Sequence, residues 1–141
     1  MLLADLGGSR LKLARVEAND WGQVVGRRWP AQPLEEDFAW LSAQRVSADE
    51  PVLLSTTRPA AVAALADFLG PALRRVEPDD VPLPQVTTGT GSDRLLAGLA
   101  AHRLAGGACL VADLGTAWTL DVVDATPVSY THLTLPTTPY V

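Results

Sequence analysis

An α/β fold is what this sequence predicts, on three observations. The chain opens with short strands in which apolar residues cluster or alternate with polar ones. Strand-like and helix-like segments then alternate, punctuated by Pro and Gly. One pattern, a strand ending in Asp and then a Gly turn into a second strand, occurs near the start and again late in the chain. The 141 residues leave room for one ordinary domain or part of a two-domain protein. With 48% apolar and 19% charged residues the chain can build a core, and global disorder is excluded.

Taken in order, residues 2–6 are a short apolar run entering the pair Gly7-Gly8, as a buried strand enters a tight turn. Residues 10–16 alternate polar and apolar, which suits a half-buried strand. A turn at 18–20 leads to a third strand over 21–29, completing an expected three-stranded meander. Residues 34–45 place Leu34, Phe38 and Leu41 at helical spacing. A strand follows at 51–55. A helix over 59–69 starts on Pro59 and stops at Gly70-Pro71. Residues 73–76 suit a further strand, and 77–84, with three prolines, a loop. After a Gly/Thr loop at 87–92, a helix over 93–104 carries Leu95, Leu99 and His102 on one side and ends at Gly106-Gly107. Residues 109–113 read as a second buried strand, followed by another at 117–123.

Eleven basic against sixteen acidic residues give a net charge of −5, which argues against non-specific nucleic-acid binding by phosphate neutralisation. Cys109 is the single cysteine, so neither a disulfide framework nor a thiolate metal site can come from this chain alone. No apolar run approaches the ~20 residues of a membrane helix, and the opening has no basic segment of a signal peptide. Residues 128–141 contain no Asp, Glu, Lys or Arg. Back-translated, 128–137 resembles the transposon-end adapter of sequencing libraries read in one frame. The expected organisation is therefore a domain over 1–106, the first strands of a second domain over 107–127, and a non-native tail over 128–141.

The two Asp–Gly hairpins carry the chemistry. Each puts a carboxylate beside bare backbone amides, a pairing that can order a cation and accept phosphate oxygens. In the first, Leu3-Ala4-Asp5-Leu6-Gly7 is followed by Gly8, Ser9 and, slightly beyond, Lys12; in the second, Val111-Ala112-Asp113-Leu114-Gly115 is followed by Thr116. Either alone also makes an ordinary hairpin turn. Together they are expected to converge on one triphosphate. A third element, Gly91-Ser92-Asp93-Arg94, lies where a loop meets a helix. There Ser92 or Asp93 can cap the helix, or Asp93 can act as a general base on a substrate hydroxyl while Arg94 meets an anion.

These residues resemble the type III pantothenate kinases of the acetate and sugar kinase/Hsp70/actin superfamily. The family's Asp-x-Gly-Asn-Thr-x-x-Lys is matched by Asp5-Leu6-Gly7-Gly8-Ser9-Arg10-Leu11-Lys12, with Gly8-Ser9 in place of Asn-Thr. Its Gly-x-Asp-Arg is matched by Gly91-Ser92-Asp93-Arg94. Its Asp-x-Gly-Thr-Ala-x-Thr-x-Asp is matched by Asp113-Leu114-Gly115-Thr116-Ala117-Trp118-Thr119-Leu120-Asp121. Residues 86–90 depart from the tyrosine-containing segment usual before the second motif. The resemblance implies a ribonuclease H-like, actin-like ATPase domain with a mixed sheet, and the start of a second similar domain. It implies ATP-dependent phosphorylation of pantothenate, the first step towards coenzyme A. By the same resemblance Asp5, Leu6, Gly7, Gly8, Ser9, Arg10, Leu11 and Lys12, with Thr116, bind ATP and its Mg²⁺. Gly91, Ser92, Asp93 and Arg94 bind pantothenate, Asp93 is the proton acceptor, and Asp113 binds K⁺ or NH₄⁺. A cytoplasmic homodimer is implied, without nucleic-acid or membrane partners. A chain ending early in the second domain is expected not to turn over, because such kinases close two domains around ATP.

Two rival functions share these residues. One is a non-enzymatic nucleotide-binding regulatory or accessory protein with the same hairpins. The other is a nuclease using Asp5, Asp113 and Asp121 around two Mg²⁺, against which the acidic charge and the glycine turns count. His102, Cys109 and the four tryptophans read as packing residues, with Trp118 singled out by its place in the second hairpin. Arg27-Arg28 and Arg74-Arg75 read as solvated surface.

Overall fold

The computed structural model describes residues 1–136 except 19, 46, 87, 88 and 116; the side chains of 21, 117 and 130–136 are also outside the description. The chain divides into two compact units, Met1–Val76 and Glu77–Val141.

The first unit is built on β1 (Leu2–Leu6), β2 (Arg10–Glu17), β3 (Asp20–Trp21), β4 (Val25–Arg28), α1 (Glu35–Ala43), β5 (Val52–Thr56), α2 (Pro59–Leu69) and β6 (Leu73–Arg75). The sheet order is β3-β2-β1-β5-β6, with β4 also pairing β2. β1 runs antiparallel to β2 and parallel to β5, and β5 runs parallel to β6. This is the mixed sheet of an α/β fold. Alternation sets which residues face the core: Leu11 and Leu13 of β2 are buried while Arg10 and Lys12 are exposed. Leu2, Ala4 and Leu6 join Val52, Leu54, Leu41, Leu65, Leu69 and Trp29 in one cluster. Each large side chain there contributes about 1.5–3 kcal/mol of burial.

Four expectations change here. The third strand is two short pieces, β3 and β4, both paired with β2. Trp29 lies beyond the second and fills the core at 1% exposure. α1 begins one residue after Leu34, which is exposed at its N-terminus and not part of an apolar face. Buried beside Leu41 is instead Asp37, whose carboxylate accepts the Leu34 N–H at 2.9 Å and pairs with Arg27 at 2.9 Å. Arg27 is therefore an anchor rather than solvated surface; its guanidinium also lies over the Trp40 ring, 5.7 Å from the centroid. α2 has the expected bounds, with Pro59 in the first turn and Gly70 beyond it at φ 57°.

The second unit places α3 (Ser92–Ala105) against an antiparallel sheet in the order β7-β8-β9: β7 (Cys109–Leu114), β8 (Ala117–Val123) and β9 (Ser129–Pro136). α3 ends at Gly106, in the left-handed conformation, whose N–H bonds the His102 carbonyl at 2.9 Å. Gly98 is a close-approach position. A Cβ there would lie 3.0 Å from Leu83 and 3.2 Å from Val123. β7 is not the buried strand expected: Leu110 and Leu114 are 64% and 69% exposed, and Cys109 is half-buried. Among the described residues β7 pairs only with β8, so one edge and one face stay uncovered. Trp118 shares that face and is 51% exposed, so it is not a packing residue. Residues 129–136, set aside as a tail, form β9, and Ser129 is tied to Pro84 and Val86 by backbone hydrogen bonds.

Candidate functional site

The first hairpin is closed by Gly7, Gly8 and Ser9 between β1 and β2, with the Gly7 N–H bonded to the Arg10 carbonyl at 3.1 Å. Asp5 stands opposite Lys12 in the register, and their side chains meet at 3.2 Å. The pair is 42% and 56% exposed, so it is a surface ion pair of small worth, easily opened. Leu6 and Leu11 point into the core and offer only backbone to a ligand. Gly7 is different: a Cβ built there would meet nothing within 4 Å, so the turn faces open space. The loop is braced from below. Thr56 Oγ1 donates to the Leu6 carbonyl at 2.9 Å and accepts the Arg58 N–H at 2.9 Å, and the Trp29 N–H donates to the Ser9 carbonyl at 3.0 Å. The bracing role of Thr56 had no sequence signal beyond its place at a strand end.

The second hairpin turns after Leu114, one residue past Asp113, as the first turns one residue past Asp5. Asp113 is exposed and stands opposite Thr119. Thr116 lies outside the described residues. On the α3 side the N-cap residue is Gly91, not Ser92 or Asp93. They occupy its first turn, Ser92 buried and Asp93 half-buried, where an acidic group complements the helix dipole. Arg94 reaches β8 and makes two bonds to the buried Asp121: Nε to Oδ2 at 3.0 Å and Nη2 to Oδ1 at 2.5 Å. The structure thus joins the second and third motifs through one bidentate pair, and it engages both oxygens that the nuclease reading needed for metal. Among the described residues no cluster of three or more His, Cys, Asp or Glu could hold a metal ion. No helix there is long and apolar enough to cross a membrane.

A family model described as type III pantothenate kinase matches residues 1–130. The chain belongs to that family. A type III pantothenate kinase of Azotobacter vinelandii is 66% identical over 35 residues, covering 25% of this chain and 14% of the relative. A solved structure of an Aquifex aeolicus member of the Ppx/GppA family superposes with a TM-score of 0.45 at 12% identity, over 96% of this chain and 50% of the other. The chain thus spans half the length of that structure and aligns with a small part of the curated relative.

Proposed function

We propose that the chain supplies the ATP and pantothenate sites of a kinase that makes 4'-phosphopantothenate, the first step towards coenzyme A. The observation that carries this is the family match over 1–130, which contains all three motifs in order. The exposed Asp5–Lys12 pair above the open Gly7 turn suits a triphosphate. Lys12 turns to a phosphate oxygen, Gly8, Ser9 and Arg10 line the same edge, and the Leu6, Gly7 and Leu11 backbone completes it. Thr116 is assigned to ATP by its motif alone.

The carboxylates fit a magnesium ion that arrives with the nucleotide, since such ions take one or two protein oxygens and the substrate phosphates rather than a protein cage. Bound there, the ion would neutralise charge on the phosphates. Asp5 would hold it or its waters. Asp113, exposed at the end of β7, suits a monovalent cation. Gly91, Ser92 and Arg94 hold pantothenate. Asp93 accepts the proton of the primary hydroxyl as its oxygen attacks the γ-phosphorus and ADP leaves. The working form is a cytoplasmic homodimer.

The test is ATP-dependent formation of 4'-phosphopantothenate by the protein expressed from its complete reading frame. Asp93→Asn is expected to lower kcat by about a hundredfold or more. Unchanged flux to coenzyme A in cells carrying that variant would favour the regulatory reading instead.

A further inference from the structure

Asp121 has no part in the reaction just described, yet it is the most enclosed carboxylate beside the second motif. It is 3% exposed on β8, on the face that α3 covers. Both of its oxygens are on Arg94. Two parallel contacts fix the plane of a guanidinium, whereas one leaves it free to swivel. Arg94 is the third residue of α3 and the neighbour of Asp93, so a clamp on Arg94 also clamps the turn carrying Asp93. The cap residue of that turn, Gly91, has no side chain of its own.

We infer that Asp121 is a positioning residue. It acts through Arg94 to set the direction of the Gly91–Arg94 segment toward the acceptor alcohol, without touching substrate. The inference rests on the pantothenate kinase reading for its kinetic consequence but not for the clamp itself. This makes the two separable.

The experiment uses the protein expressed from its complete reading frame and the variants Asp121→Asn, Asp121→Glu and the neutral double variant Arg94→Gln/Asp121→Asn. Asp121→Asn is expected to lower kcat/KM for pantothenate by about ten- to a hundredfold, the scale of loss when a group at the reacting centre is held slightly out of place, with KM for ATP unchanged. Asp121→Glu, which keeps the carboxylate, is expected to recover part of the loss. The Arg94 Nε–H and the Ser92 to Leu95 amides are expected to exchange with solvent faster in Asp121→Asn. If Asp121→Asn does not fold, the double variant, with no buried charge left, is expected to fold, and its Ser92 to Leu95 amides are expected to exchange faster than in the wild type, a readout independent of any contact between Arg94 and pantothenate. Equal losses toward ATP and pantothenate, or unchanged kinetics, would overturn the inference. Should the wild-type protein leave pantothenate untouched, the kinase reading fails on its own. The exchange data then decide the clamp: faster exchange upholds it and unchanged exchange removes it.

Discussion

Two charged pairs in the first unit show how differently neighbouring ions behave. Arg27 and Asp37 meet at 2.9 Å with the carboxylate 4% exposed, and Asp37 also takes the Leu34 N–H at the start of α1. Removing Arg27 strands the buried carboxylate, so Arg27→Ala is expected to cost about 3–5 kcal/mol in a urea titration. An unchanged midpoint would show that the pair is idle. Asp5 and Lys12 are the opposite case, exposed and weakly coupled. Lys12→Ala is expected to change stability by less than about 1 kcal/mol. By the proposed phosphate role it raises KM for ATP by about tenfold, which is about 1.4 kcal/mol. The paired measurement, a melt and an ATP titration on one variant, separates scaffold from site. The sequence placed Asp5 and Lys12 as candidates because their motif is local. Asp37 was invisible because an acid inside a helix reads as solvent-facing until a tertiary partner such as Arg27 is known.

Element by element, legibility follows how local the determining chemistry is. α2 was readable to the residue, because Pro59 starts it and Gly70 stops it without help from the rest of the chain. Gly106 ended α3 for the same reason. The burial of β7 was misread, since an apolar strand is buried only if something covers it, and Leu110 and Leu114 carry no mark of what does. The split of the third strand into β3 and β4 also escaped, because both depend on where β2 offers partners. Nor did the sequence show why Gly98 stands in the middle of α3. It lets the helix approach Leu83 and Val123, where a Cβ would sit at 3.0 and 3.2 Å. Gly98→Val adds more than that Cβ, and overpacking of this kind is expected to cost about 1–3 kcal/mol. Thermal unfolding of the variant checks it, and a raised midpoint would mean the helix can shift away cheaply.

For the molecule as a whole, the proposed kinase reaction assigns Asp93 to chemistry rather than binding, and ligand linkage can decide between the two. A ligand that binds only the folded protein stabilises it by about 2.7 kcal/mol at a hundred times its Kd, whether or not it is turned over. Asp93 lies in the first turn of α3, and the clamp from Asp121 engages Arg94, not Asp93. Replacing its carboxylate by an amide of the same shape leaves that clamp in place. Asp93→Asn is therefore expected to keep the pantothenate-induced rise in melting temperature close to that of the wild type while turnover collapses. Loss of the thermal shift together with turnover would make Asp93 a binding residue, and the proton would then need another acceptor. A retained shift with undiminished turnover would remove general-base catalysis by Asp93, since an amide cannot take up the proton.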